Sequence, residues 1–171
     1  VTVLPLALAQ PGAARALFAA LQSRSLVVTD LCNNAGFGLF GLFQNTALDD
    51  EAAMIQLNIT ALTELTKLCL PPMVASRNGR ILNVASTAAF QPGPYMAVYY
   101  ASKAYVLSFS EALATELKGS GVTVTALCPG PTRTGFQTRA AMHNSALLKN
   151  VALTAVDSVA RAGYRAMQRG K

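Results

Sequence analysis

Three short, largely apolar runs separated by segments with helical spacing most constrain the fold of this 171-residue chain. The runs are Leu26–Leu31, Arg80–Ala85 and Val122–Leu127. Apolar residues along the whole run are typical of strands buried on both faces of a parallel sheet. Strands that alternate with helices predict an α/β fold, in which ligands bind beyond the carboxyl ends of the strands. We therefore expect the functional residues directly after these runs.

The helical segments lie between the runs. Thr46 and Asp49 form a capping pattern, which predicts a long helix from Asp49 to the Pro71-Pro72 pair. Two further helices are predicted over Ala13–Leu21 and Ala97–Lys118.

Composition is that of a single soluble domain covering residues 1–171. Hydrophobic residues make up 52% of the chain, enough to close one core, and polar residues or prolines interrupt each apolar stretch before it could cross a membrane. The three cysteines, Cys32, Cys69 and Cys128, lie in apolar surroundings, which favours buried reduced thiols and a cytoplasmic location.

Positive charge is concentrated in the second half, where residues 77–171 carry eleven basic and three acidic side chains. Arg161, Arg165 and Arg169 share one face of a predicted helix without interleaved aromatic residues, which favours a solvated face over a nucleic-acid surface. His143, the only histidine, has no neighbour at metal-ligand spacing, so no metal site is predicted.

Polar residues with chemical potential follow the predicted strands or lie on helices. Tyr99 and Lys103 are one helical turn apart, where a cation favours the phenolate, and Ser86 directly follows a strand. A tyrosine packed beside a lysine would give the same spacing. Asn58 lies within the long helix as a buried polar residue or as a surface asparagine.

These residues belong to a set of motifs that resembles the classical short-chain dehydrogenase/reductase family in order and spacing. The motifs are Asn33-Asn34-Ala35-Gly36, Asn58, Asn83-Val84-Ala85-Ser86, Tyr99-Tyr100-Ala101-Ser102-Lys103 and Pro129-Gly130-Pro131-Thr132-Arg133-Thr134. The resemblance implies a Rossmann-like, doubly wound parallel sheet. The turn and the Pro-Gly loop favour this branch over the extended epimerases and dehydratases, which share the Tyr and Lys pair.

The resemblance also implies the chemistry, which is hydride transfer between NAD or NADP and a carbonyl or alcohol substrate. Tyr99 would be the acid/base, and Ser86 would hold the substrate oxygen. Lys103 would lower the Tyr99 pKa and bind the nicotinamide ribose. Asn58 would anchor a relay water through its backbone carbonyl, which requires a locally irregular helix.

Further positions would bind the cofactor if the resemblance holds. The turn Asn33, Ala35 and Gly36 would flank the ribose, and the loop after the last run would surround the nicotinamide through Pro129, Gly130, Thr132 and Thr134. Simple turn chemistry is the alternative for Pro129-Gly130.

The family's first, second and last strands, and its glycine-rich phosphate turn, have no counterpart in this chain. Val1–Leu6 corresponds to the third strand, so it would lack a neighbour, and Leu26–Leu31 would expose an apolar edge. Ala7 stands where the family usually has an adenine-contacting Asp. The sequence thus predicts an incomplete Rossmann-like domain, and a non-catalytic truncated pseudoenzyme or interaction fragment is the alternative to an oxidoreductase.

Apolar residues cluster near the predicted site in sequence, which suggests an apolar small-molecule substrate or core packing. They are Phe90, Tyr95, Met96, Phe136 and Met142. The resemblance further implies a homo-oligomer that uses the helices of Asn58 and Tyr99, with no nucleic-acid or membrane partner.

Overall fold

The computed structural model describes residues 1–136, 140 and 153–171. Its sheet has three parallel strands in the order β1 (Asp30–Asn33), β2 (Gly79–Val84) and β3 (Val122–Leu127). The predicted parallel sheet is confirmed, although β1 begins four residues later than the apolar run. Asn33 lies opposite Asn83, so the carboxyl ends of β1 and β2 meet at one edge of the sheet.

Five α-helices are assigned in the described residues: α1 (Ala13–Gln22), α2 (Leu48–Ile55), α3 (Leu62–Ser76), α4 (Ala97–Glu116) and α5 (Val156–Gln168). A π-helical segment, Gln56–Ala61, joins α2 to α3, and a 3₁₀ turn, Thr87–Phe90, follows β2. The predicted local irregularity of the helix around Asn58 is thus confirmed.

The predicted helix break at the two prolines is wrong. Pro71 and Pro72 lie inside α3, which continues to Ser76. Both prolines are exposed, so water can hydrogen-bond the carbonyls that lose their intrahelical donors. Met73, on the opposite face, is 1% exposed and anchors this last turn in the core.

The predicted capping pattern is also wrong. Helix α2 begins at Leu48, and Ala47 occupies the cap position without a side-chain hydrogen bond. The Thr46 hydroxyl instead donates to the Glu51 carboxylate at 2.8 Å. A charged acceptor forms the stronger hydrogen bond, so the Glu51 carboxylate orients the Thr46 hydroxyl.

Helices cover both faces of the sheet because side chains alternate along each strand. Val122 and Val124 of β3 pack into a core with residues of α3 and α4. Thr123 and Leu127 point the other way, where Gly163 of α5 lies against the Leu127 side chain. The sheet is therefore packed against helices on both faces.

The outer edge of β1 is open. The predicted strand at Val1–Leu6 is not formed, and both Val1 and Val3 are strongly exposed, because no paired neighbour is available to this segment in the described sheet. Cys32 is exposed on this edge, so the prediction of buried thiols fails there. An apolar groove of about 170 Å³, lined by residues such as Leu17 and Leu65, runs beside β1.

The basic face predicted for the last helix is confirmed. Arg161, Arg165 and Arg169 are exposed on or directly after α5. Among the described residues, no helix is both long enough and apolar enough to cross a membrane. Met142 and His143 lie outside the described residues.

Candidate active site

Ser86, Tyr99 and Lys103 meet at the carboxyl edge of the sheet. Ser86 directly follows β2 and caps the 3₁₀ turn, where its hydroxyl oxygen accepts a 3.1 Å hydrogen bond from the backbone of Ala88. Tyr99 and Lys103 lie in the first two turns of α4, with the Lys103 ammonium 5.8 Å from the centre of the Tyr99 ring. The structure therefore brings together the three residues that the sequence singles out.

Asn58 joins this group from the π-helical segment and is 2% exposed. Its side-chain oxygen accepts from the Phe37 backbone N–H at 3.1 Å, and its amide donates to the Phe37 carbonyl at 2.9 Å. The amide also donates to the Ser102 hydroxyl at 3.0 Å. The side chain of Asn58 thus ties the loop after β1 to helix α4, whereas its predicted role concerns the backbone carbonyl.

The electrostatics of Tyr99 differ from the expectation. Burial raises the pKa of Tyr99 above its ordinary value of 10.0, and a hydrogen bond with Ser86 opposes this change only in part. The expected lowering by Lys103 is not seen, and the Lys103 ammonium donates to the Val84 carbonyl at 2.7 Å. In this arrangement the Tyr99 phenol is protonated at neutral pH.

Lys103 is a buried amine, and only 7% of its surface is exposed. Burial lowers the pKa of Lys103 from 10.5 to about 8. Loss of hydration penalises the ammonium, and the hydrogen bond to Val84 compensates one of its three N–H groups. Near neutral pH this group carries a proton that it can release more easily than a surface lysine.

The side chain of Asn33, a predicted cofactor contact, lies below the site in a buried chain of hydrogen bonds. Its amide donates to the Thr66 hydroxyl at 3.1 Å and to the Asn83 side-chain oxygen at 2.9 Å. Asn83 in turn donates to the Ser110 hydroxyl at 2.9 Å. These hydrogen bonds connect α3, β1, β2 and α4. The side chain of Asn33 thus stabilises the elements that carry the site.

Ala35 and Gly36 line an open cleft of about 380 Å³ together with Asn34, Phe37 and Leu57. Gly36 lies so close to the Asn58 side chain that an added Cβ would stand 3.0 Å from its oxygen and 3.6 Å from the Lys103 nitrogen. Gly36 thus lies between the cleft and the buried side chains of Asn58 and Lys103.

The loop after β3 approaches the same edge. The Pro129 carbonyl accepts a 3.0 Å hydrogen bond from the Thr87 backbone, next to Ser86. Within the loop, the Thr132 hydroxyl donates to the Gly130 carbonyl at 2.9 Å, and the Thr134 hydroxyl accepts from the Phe136 backbone at 3.1 Å. Thr132 also pairs with Thr154, which ties the loop to the chain before α5.

Aromatic side chains surround Tyr99. The rings of Tyr99 and Phe136 are 5.2 Å apart and tilted by 48°. Gly38 makes this contact possible, since an added Cβ would lie 2.8 Å from the Phe136 ring and 3.1 Å from the Tyr99 ring. Sequence reasoning missed Gly38, and only its place two residues beyond the Asn-Ala-Gly turn could have drawn attention to it.

The family model described as short chain dehydrogenase matches residues 1–145. The chain belongs to the short-chain dehydrogenase family. Its computed fold agrees with this, since a short-chain dehydrogenase from Sphingobium yanoikuyae in complex with NADPH superposes with a TM-score of 0.85 at 33% identity. That match covers 96% of this chain and 62% of the solved one.

Other short-chain dehydrogenases show comparable similarity. A ketoacyl reductase of Nostoc sp. is 40% identical over 100 residues, which are 58% of this chain and 35% of that protein. A 3-oxoacyl-[acyl-carrier-protein] reductase of Synechocystis sp. is 40% identical over 100 residues, covering 58% and 40%. The bulky-bulky ketone specific alcohol dehydrogenase from Comamonas testosteroni superposes with a TM-score of 0.82 at 27% identity, covering 98% and 62%. This chain thus spans between 35% and 62% of the length of these relatives.

NAD(P) is the cofactor typical of this short-chain dehydrogenase family, and part of the site fits it. The cleft exposes the backbone of Ala35 and Gly36, and behind Gly36 lies Lys103, a donor that is already partly desolvated. Such a combination suits the hydroxyl groups of a ribose. The diphosphate end finds no match in the sequence, which contains no Thr-Gly-x-x-x-Gly-x-Gly turn.

Ser102 is a second residue of this short-chain dehydrogenase site that sequence reasoning left without a role. It is fully buried, accepts from Asn58, and donates to the Tyr99 carbonyl at 2.7 Å. It thereby connects the π-helical segment to the first turn of α4. Its position directly before Lys103 is the sequence signal that could have found it.

Proposed function

We propose that this chain carries the proton-transfer half of an NAD(P)-dependent dehydrogenase/reductase that interconverts a carbonyl group and an alcohol on a small, apolar substrate. The observation that carries the proposal is the convergence of Ser86, Tyr99, Lys103 and Asn58 at one edge of the sheet. Bound NAD(P)H supplies the hydride. The residues of the chain supply the proton and the position of the substrate oxygen.

Tyr99 is the proton donor in the direction of reduction. Because burial raises its pKa, the phenol keeps its proton at neutral pH and can give it to the oxygen of a bound carbonyl. Ser86 holds that oxygen, since its hydroxyl group lies beside Tyr99 and is itself oriented by the Ala88 backbone. Oxidation uses the same two residues, with Tyr99 as the base.

Lys103 and Asn58 return the proton to Tyr99. The pKa of Lys103, about 8, lets the amine exchange protons near neutral pH. Its ammonium group would also hold the ribose hydroxyls of the cofactor, next to Gly36. The π-helical segment widens the backbone at Asn58, which would free its carbonyl for the water of a proton relay.

The remaining cofactor contacts belong to two loops. Ala35 and Gly36 would lie along the ribose, with the side chain of Asn33 fixing the turn from below. The loop after β3 would enclose the nicotinamide, with Pro129 and Gly130 shaping the pocket. Thr132 and Thr134 would hold the carboxamide.

A chimera tests this proposal. Residues 1–171 replace the aligned 62% of the Sphingobium dehydrogenase, and the rest of that NADPH-binding protein completes the domain. We expect NADPH-dependent reduction of ketones, followed by the absorbance of NADPH. Tyr99→Phe should lower the rate by about 10²- to 10⁴-fold, because it removes general acid catalysis.

The matched control is Tyr100→Phe, which removes the neighbouring phenol hydroxyl, 6.0 Å away between ring centres, and should leave the rate nearly unchanged. A folded chimera that binds NADPH without reducing any ketone would favour the alternative, a non-catalytic interaction fragment. Equal rates for Tyr99→Phe and the parent chimera would contradict the role of Tyr99.

A further inference from the structure

The turn Gly93–Met96, directly before α4, contains a tyrosine in a position that favours glycine. The Met96 backbone N–H donates to the Gly93 carbonyl at 3.1 Å, Pro94 is the second residue, and Tyr95 is the third, with φ +66°. These features match a type II turn, whose third residue is usually glycine. Tyr95 therefore adopts a left-handed backbone conformation, which is energetically unfavourable for any residue other than glycine.

Neighbouring contacts hold Tyr95 in this conformation. Its carbonyl accepts a 2.8 Å hydrogen bond from the Gly41 backbone, and the following residue, Met96, is anchored in the core at 4% exposure. The turn does contain a glycine, but at its first position, where any Cβ on Gly93 would collide with the ring of Tyr100. The strain is thus imposed by the surrounding structure.

Burial does not account for the strained tyrosine, because 52% of Tyr95 is exposed. One face of its ring stacks on Phe40, with the centres 5.7 Å apart and an angle of 26° between the planes. Phe40 packs against the apolar cluster that contains Met96 and the Tyr99 ring. The stacked pair therefore packs on the same small cluster as the Tyr99 ring, and the half-exposed Tyr95 presents an aromatic surface to solvent.

We infer that Phe40 and Tyr95 form a stacking platform that selects substrates with a planar apolar group next to the carbonyl. This inference rests on the proposed function, since it assumes that the ligand is a ketone or the matching alcohol. A flat ring on the exposed part of the pair would gain the offset stacking that aromatic faces favour. A saturated ring of similar bulk would gain burial only.

The test compares the binding of two ketones to the full chain by ligand-detected NMR titration, without cofactor. The probes are acetophenone, whose ring is planar, and cyclohexyl methyl ketone, which has the same carbon skeleton with a saturated ring. We expect tighter binding of the planar ketone, and about tenfold weaker binding of it to Tyr95→Gly, with little change for the saturated ketone. Tyr95→Phe should keep the affinity, because it retains the ring.

Tyr95→Gly relieves the strained backbone but also loses the ring contact with Phe40, so urea unfolding of the variant is measured beside the titration to show that it is folded. Tyr164→Ala is the matched control, since Tyr164 is a 59% exposed tyrosine on α5. Equal affinity of the parent for both ketones, unchanged binding by Tyr95→Gly, or a loss by Tyr95→Phe would each overturn the inference. Binding without reduction in the chimera would contradict the proposed function alone.

Discussion

The amide of Asn33 donates a 2.9 Å hydrogen bond to the side-chain oxygen of Asn83, directly across the register of β1 and β2. Asn33 is the last residue of β1, Asn83 is the last but one of β2, and both are buried. The bond continues to Thr66 on one side and Ser110 on the other. A series of buried hydrogen bonds thus crosses the sheet next to the candidate active site and connects the strands and helices that carry the site residues.

Asn83→Ala should destabilise the protein by about 2 kcal/mol, because it leaves the buried amide of Asn33 without one of its acceptors. Urea unfolding measures the change. Asn45→Ala, at an exposed asparagine, is the control and should stay within about 0.5 kcal/mol of the parent. Equal stability of the two variants would show that the buried hydrogen bonds of Asn83 do not stabilise the protein.

Lys103 should make stability depend on pH above neutrality. Its pKa is about 8 in the folded protein and 10.5 as an ordinary value, so between pH 8 and pH 10 the unfolded chain binds more protons. The free energy of unfolding therefore rises with pH in this window, by roughly 2 to 3 kcal/mol, and this contribution is constant below it. Urea unfolding at several pH values should show this rise for the parent and its loss in Lys103→Met.

The control for that series is Lys67→Met, which changes an exposed lysine of α3 and should keep the rise. A parent protein whose stability follows the same pH course as Lys103→Met would mean that Lys103 is not desolvated.

Gly38→Ala should disturb the aromatic contact over Tyr99, because the new Cβ would lie 2.8 Å from the Phe136 ring. We expect a loss of about 1 to 3 kcal/mol in unfolding free energy and shifted NMR signals of the Phe136 ring. Gly135→Ala should be neutral, since none of the described residues lies within 4 Å of a Cβ placed there. Identical behaviour of both variants would show that Gly38 is not closely packed.

The 171-residue polypeptide, made by itself, should bind neither NADH nor NADPH appreciably. Its sequence has no glycine-rich turn at a helix N-terminus to hold the diphosphate, and contacts to ribose and nicotinamide are only part of the affinity. Isothermal titration calorimetry checks this, with the chimera as the positive control. Micromolar affinity of the isolated polypeptide would contradict the prediction.

Much of the fold could be predicted from local patterns. Val122–Leu127 forms a strand with the predicted bounds because its apolar run has one stable solution, burial within a sheet. The helix of Tyr99 and Lys103 was predicted within two residues. The failures have non-local causes: Pro71 is tolerated because its side of α3 faces water, and Cys32 is exposed because the edge of β1 has no paired neighbour in the described sheet.

The sequence by itself determined which chemical groups this protein has and in what order they follow its strands. This was enough to predict the family, the parallel sheet and Ser86, Tyr99 and Lys103 as candidate site residues. Only the tertiary structure decided how these groups behave. Burial sets the direction of the Tyr99 pKa, and the path of the backbone sends the Lys103 ammonium to Val84. Desolvation and close contact depend on atoms far apart in the chain, so no local pattern of residues contains them.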